Sequence, residues 1–210
     1  MRAFLKWSGV ALFVIAVLFA HSLYPKKASV EEAPQEPTYA IPYETAWNYR
    51  QSVNACGPYS VAAVMRALGD SAVTSEDLAT TLWRPYRGYT LPTTMVSALQ
   101  ERGFTVDQRL VPMSDAEKVR WLRSKLEQGS PVIILIRQGG VLHYVTLLGY
   151  AEQAFYVYDS LQSRGEGDLT VDANGDLSGN VTWTDEELLA QWNAGGLFGL
   201  YRSYAMVVEK

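Results

Sequence analysis

Cysteine and histidine are almost missing from this chain. Its 210 residues hold one cysteine, Cys56, and two histidines, His21 and His143. One cysteine excludes an internal disulfide framework and any multi-cysteine zinc or iron–sulfur site. Charge is also sparse: charged residues make up 19% and the formal net charge is −4. A mildly acidic chain gives no electrostatic reason to expect a nucleic-acid partner. There is no glycine-rich phosphate loop of the Walker type and no internal repeat. What is plentiful is apolar and aromatic surface. Hydrophobic residues reach 48%, with 13 Tyr and 6 Trp, enough to bury one core and too apolar for a disordered chain.

Charge is absent altogether from residues 7–24, between Arg2 and Lys6 on one side and Lys26 and Lys27 on the other. Eighteen helical residues rise roughly 27 Å, about the thickness of a bilayer core. Residues 1–24 are therefore expected to be a signal peptide or an uncleaved transmembrane signal anchor, with Ala20-His21-Ser22 as a cleavage site of low quality. Residues 25–40 hold three prolines and no apolar periodicity, which predicts an exposed linker. The remainder, 41–210, reads as one domain, membrane-anchored or secreted and outside the cytoplasm of a bacterial-type cell.

Within that domain Cys56 precedes apolar residues at Val61, Val64, Met65 and Leu68, the i, i+3, i+4, i+7 stripe of an amphipathic helix. Pro58 is tolerated only in a first turn, so the helix starts near Cys56, and Gly69 stops it. Residues 74–83, 92–102 and 114–128 read as further helices, the last opened by the capping box Ser114…Glu117. A strand is expected over Phe104–Val111. Val132-Ile133-Ile134-Leu135-Ile136 is a continuous β-branched run suited to a strand buried on both faces. His143–Tyr150 and Ala154–Asp159 follow as a hairpin around Ala151-Glu152-Gln153. Residues 164–182 are rich in Gly and Asp and read as loop. Asp172-Ala173-Asn174-Gly175-Asp176 there fits a glycine turn better than a calcium loop, since Trp183 stands where the twelfth-position Glu belongs. A second capping box, Thr184…Glu187, opens a helix ending near Asn193, and Tyr204–Val208 makes a last strand. Helices first and a mostly antiparallel sheet afterwards define an α+β fold.

The only cysteine and the only histidine outside the N-terminal segment suit thiol chemistry. The thiolate is the nucleophile, and a helix N-terminus and a nearby imidazolium both favour it. Cys56 lies in Gln51-Ser52-Val53-Asn54-Ala55-Cys56-Gly57-Pro58, at a helix start. Its backbone N–H faces the position of an attacked carbonyl, one donor of an oxyanion hole. A side-chain amide just upstream, Gln51 with Asn54 behind it, is the candidate second donor. His143 begins a strand. If the hairpin turn centres on Ala151, His143 stands directly opposite Asp159, which then fixes the tautomer and stabilises the charged ring.

This constellation resembles the papain-like cysteine peptidases, and most closely their C39-like branch. Three stretches carry it: Gln51…Asn54-Ala55-Cys56-Gly57-Pro58, Gly140-Val141-Leu142-His143-Tyr144-Val145, and Tyr156-Val157-Tyr158-Asp159-Ser160. The resemblance implies a papain-like fold over 41–210, a helical N-terminal half packed on a mostly antiparallel sheet. It implies Cys56 as nucleophile, His143 as general base and acid, Asp159 as orienter and Gln51 as oxyanion donor. The family glutamine usually lies six residues before the cysteine. Here that slot is Arg50, so Gln51 and Asn54 both stay open as the donor. The implied activity is hydrolysis of a peptide or amide bond through an acyl-enzyme, with a peptide or protein substrate and no cofactor or metal. A catalytically inactive binding module, or a cell-wall amidase or acyl transferase of the same fold, are the alternatives. Bacteriocin-processing members are fused to a transporter with an ATP-binding domain; these 210 residues carry no Walker-type loop, so that role is not expected of them.

Overall fold

The computed structural model describes residues 25–29, 36–42, 49–84, 88–162, 179–196 and 200–210. The expected apolar segment 1–24 and the loop containing Asp172–Asp176 lie outside them. Among the described residues no helix is long and apolar enough to cross a membrane.

In chain order the elements are strands β1 (Lys26–Lys27) and β2 (Tyr39–Ala40), then helices α1 (Cys56–Ala67), α2 (Ser75–Thr81) and α3 (Pro92–Gln100). Strand β3 (Thr105–Leu110), helix α4 (Asp115–Glu127) and strands β4 (Val132–Gln138), β5 (Val141–Ala151) and β6 (Ala154–Tyr158) follow. Strand β7 (Val181–Thr184), helix α5 (Asp185–Asn193) and strand β8 (Tyr204–Glu209) end the chain. One sheet runs in the order β1-β3-β8-β4-β5-β6-β7, with β2 paired to β5 off that path. All its pairings are antiparallel except β1 with β3. The fold is α+β, as the order of elements predicts.

β4 explains why the core has two sides. Val132, Ile134 and Ile136 join a cluster with Trp121, Leu122 and Leu126 of α4 and Trp192 of α5. Ile133 and Leu135 join the cluster of Val61, Val64 and Met65 of α1 with Leu99 of α3. Period-two alternation places successive side chains on opposite faces, so a wholly apolar strand needs cover on both. The N-terminal helices supply one layer; α4 and α5, both expected as helices, supply the other. Both expected capping boxes form, Ser114 with Glu117 and Thr184 with Glu187. A third, Thr74 with Asp77, opens α2.

α1 is buried from Cys56 through Met65 rather than along one stripe. Gly57, Ser60, Ala62 and Ala63 are small enough to let neighbours approach on the remaining sides. An ideal Cβ on Gly57 would stand 2.6 Å from Thr90 Cβ, so only glycine fits beside the cysteine. The helix has no side-chain cap. A turn from Ser52 to Ala55 feeds it, closed by the Ala55 N–H donating to Ser52 O at 3.2 Å. Asn54 sits in that turn with φ +56°, a conformation Asn tolerates better than most residues.

Three expectations need correction. The stretch 25–40 is not an exposed linker throughout. Lys26 and Lys27 pair with Arg109 and Leu110, and Tyr39 and Ala40 with Tyr150 and Gly149. Tyr39 also stacks on Tyr150 at 6.4 Å between ring centroids, and Tyr150 Oη donates to Glu36 O at 3.0 Å. Residues 181 and 182, expected as loop, belong to β7. The β5–β6 hairpin does not centre on Ala151. Ala151 pairs with Ala154 across a two-residue turn at Glu152-Gln153, and the register shifts between Leu147 and Gly149. His143 is therefore not directly opposite Asp159.

Candidate active site

The β4–β5 hairpin places His143. Gly139 and Gly140 make its two-residue turn with φ +56° and +85°, the positive angles a tight hairpin of this twist requires. That turn sets Ile136 opposite His143. On the other side of β5, Thr146 pairs with Tyr158. Continued by one residue, the register sets Asp159 opposite Val145, two positions from His143 and diagonal to it on the same face. Nε2 of His143 donates to Oδ1 of Asp159 at 2.8 Å. The pair forms despite the misread register because a diagonal neighbour lies within reach of a ring and a carboxylate.

Asp159 is held more firmly than its place at a strand end suggests. Its Oδ1 also accepts the Leu161 N–H at 2.9 Å. Its Oδ2 accepts Gln162 Nε2 at 2.8 Å and Gln138 Nε2 at 3.2 Å. Asn180 clamps the backbone: Asp159 N–H donates to Asn180 Oδ1 at 2.8 Å, and Asn180 Nδ2 donates to Asp159 O at 2.9 Å. Donors on both oxygens satisfy a carboxylate that is fully buried. Burial alone pushes its pKa up; the hydrogen bond and charge of His143, with the Leu161 and Gln138 donors, outweigh that and hold it below the usual value.

With Nε2 committed to Asp159, the second ring nitrogen is left over, and Cys56 acts on the proton affinity of the ring together with Asp159. Burial pushes the His143 pKa down. The Asp159 hydrogen bond, the Cys56 hydrogen bond and the negative charge of both partners overcome it, so the ring is raised from 6.5 to about 9. Histidine is 1% exposed and cysteine 7%. The imidazolium thus sits between two potential anions in a nearly water-free place, where each charge interaction is stronger than in solvent. Tyr144 stands beside the cysteine; burial, then the Cys56 and Tyr201 charges, raise its phenol well above the ordinary range.

Gln51 joins the site through the acid's loop. Its N–H donates to Ser160 O at 3.0 Å, and its Oε1 accepts Ser160 Oγ at 2.6 Å. The carbonyl end of the amide is taken, which leaves Nε2 as the donor without a partner among the described residues. The N–H of Cys56, an uncapped first residue of α1, makes no hydrogen bond among the described residues. Gln51 also lines a cavity of about 410 Å³ with Arg50, Tyr59, Glu76 and Thr80.

Cys56, His143 and Asp159, each expected from the sequence, are brought together, and Gln51 is tied to the residue after the acid. Sequence reasoning missed Ser160, Gln138, Gln162 and Asn180. Only Gln138 left a signal: the Gly139-Gly140 turn fixes the register that sets it beside β5. Among the described residues no cluster of three His, Cys, Asp or Glu side chains could hold a metal.

Comparison with known proteins adds to this geometry. The sequence profile of the Peptidase_C39 like family matches residues 38–184. No curated protein matches the chain significantly. Among solved structures, a Bacillus anthracis protein assigned to the C39-like peptidases superposes with a TM-score of 0.55 at 14% identity, covering 83% of this chain and 98% of that one. That likeness shows the fold. The peptidase domain of Streptococcus ComA, from a bifunctional ABC transporter of a quorum-sensing pathway, aligns at 13% identity and a TM-score of 0.49. It covers 76% of this chain and 94% of its own.

Proposed function

The chain belongs to the Peptidase_C39 like family, and on that premise we propose that it is an active cysteine peptidase. The observation that carries the proposal is the hydrogen bond from His143 Nε2 to Asp159, in a chain whose Cys56 opens a buried helix and raises the proton affinity of the same ring. In this proposal the His143 ring takes the Cys56 proton, and the thiolate attacks a peptide carbonyl. The carbonyl oxygen becomes negative as the tetrahedral intermediate forms. The Cys56 N–H and Gln51 Nε2 donate to it. His143 then protonates the leaving amine, and the C–N bond breaks to give an acyl-enzyme on Cys56. Water, deprotonated by His143, attacks that thioester and restores the free thiol. Asp159 keeps the ring in the orientation and charge state that both transfers need.

The test is hydrolysis of a mixture of unstructured peptides by the purified full chain. The wild type cuts them, while Cys56→Ala and His143→Ala, folded by circular dichroism, do not. Binding without cleavage by the wild type points instead to an inactive binding module. Release of cell-wall fragments in place of peptides points to an amidase. We propose further that residues 1–24 anchor this domain outside the cytoplasm. Recovery of the uncleaved chain in the membrane fraction, digestible by protease added to spheroplasts, is the expected result.

A further inference from the structure

We infer that the site takes an extended peptide segment with large apolar side chains, a substrate class that rests on the peptidase proposal above. Seven large apolar side chains stay exposed among the described residues, and six of them lie on segments that carry Cys56, His143 or Asp159 or that pack against those segments. Val53, 84% exposed, lies three residues before the cysteine in the turn that feeds α1. Tyr89 and Leu91 flank Thr90, whose side chain packs against Gly57. Gly88, next to Tyr89, sits against Asn54. Val141, 50% exposed, precedes His143 by two residues. Leu161 follows Asp159 by two and donates its N–H to that carboxylate. Leu200 precedes Tyr201, which packs with Leu142 on the cluster that contains Cys56.

Scattered exposed apolar residues need no explanation, but a contiguous group at one place marks a binding surface. Here the group gathers on the segments of the site: Thr90 meets Gly57, Gly88 meets Asn54, and Leu161 donates to Asp159. Charge is missing from the same segments. Residues 51–63, 88–100, 139–151 and 159–162 contain no Asp, Glu, Lys or Arg except Asp159 itself. Two nearby guanidinium groups, those of Arg84 and Arg137, are spent on the backbone. Arg84 donates to Gly88 O at 3.4 Å and to Ala79 O. Arg137 donates to Gly140 O, Ala194 O and Gly196 O at 2.9, 3.1 and 2.8 Å. A charged substrate side chain would lose water against these apolar residues, which selects against it. A large apolar one gains from burial. The rim has contributors on the cysteine side and on the histidine–acid side, so residues on both sides of the scissile bond are read.

The experiment uses the full chain carrying Cys56→Ala, which binds without cutting. Fluorescein-labelled dodecapeptides rich in Leu, Val and Phe are compared by anisotropy with acidic and basic ones of equal length. The apolar peptides are expected to bind at least tenfold more tightly. Val53→Lys with Val141→Lys, both at exposed positions, is expected to remove at least tenfold of that preference while the thermal midpoint stays within a few degrees. Equal affinity for the three peptide classes, or an unchanged preference in the double variant, overturns the inference. Apolar binding by Cys56→Ala combined with no cleavage of the same peptides by wild type supports the rim and sinks only the peptidase proposal.

Discussion

Ser160 holds Gln51 by two hydrogen bonds, one backbone and one side chain, at 3.0 and 2.6 Å. The residue after the acid thereby fixes the amide five residues before the nucleophile. For Gln51 as the proposed oxyanion donor, the shorter spacing is tolerable because the contact is made across the fold and does not depend on the count of residues along the loop. In Ser160→Ala the Gln51 amide loses the partner that orients it. One net hydrogen bond contributes about 1 kcal/mol, so kcat should fall about fivefold with KM unchanged. Gln51→Ala should cost about 100-fold or more in kcat. The double variant should be no worse than Gln51→Ala alone. Equal losses in KM would mean that the hydroxyl only supports the loop.

Asp159 should set the proton affinity of His143. In Asp159→Asn the ring loses its charge partner and meets an amide of similar shape. The His143 midpoint, followed by the imidazole resonances in a pH titration, should be about 9 in the wild type and lower in the variant. An unchanged midpoint would show that the cysteine alone holds the proton.

The same pair predicts a pH profile of stability. His143 binds its proton more tightly folded than unfolded, with values of about 9 against 6.5. Its contribution is complete below 6.5 and is lost as the pH rises from 6.5 through 9. Asp159 is shifted the other way; its contribution is present above the unfolded value of 3.8 and is lost as the pH falls through the depressed folded one. The alkaline loss should be on the order of 3 kcal/mol. Urea midpoints measured from pH 5 to 10 should fall in the wild type and stay nearly flat over pH 6.5–9 in His143→Gln.

The docking of residues 39–40 depends on Gly149. A Cβ there would stand 2.5 Å from Tyr39 O and 2.8 Å from Tyr156 Cδ2. Gly149→Ala should therefore cost about 1–3 kcal/mol and speed hydrogen exchange at Ile41, whose N–H donates to Leu148 O at 2.8 Å. Unchanged exchange would mean that the strand shifts to make room.

What the sequence made legible follows from what carries a local signal. α1, α4 and α5 were readable because apolar spacing and capping residues lie within a few positions of each other. β4 was readable because a β-branched run has one good environment. The β5–β6 register was not. Its turn is Glu152-Gln153, with no glycine or asparagine to mark it, and a bulge near Leu148 adds an unpaired residue. The strands at 26–27 and 39–40 were hidden by prolines around them and by pairing that depends on distant partners. Cys56, His143 and Asp159 stood out through scarcity and motif. Gln162 and Asn180 are ordinary polar residues whose only distinction is the aspartate they reach.

The central claim is that His143, oriented by Asp159, makes Cys56 a nucleophile. Intact-mass kinetics with a peptidyl electrophile that alkylates thiols tests it directly. The wild type should gain one adduct, on Cys56. The rate should drop about 100-fold or more in His143→Ala and by a smaller factor in Asp159→Asn. Equal, slow labelling of wild type and His143→Ala, at the rate of an ordinary thiol, would contradict the account.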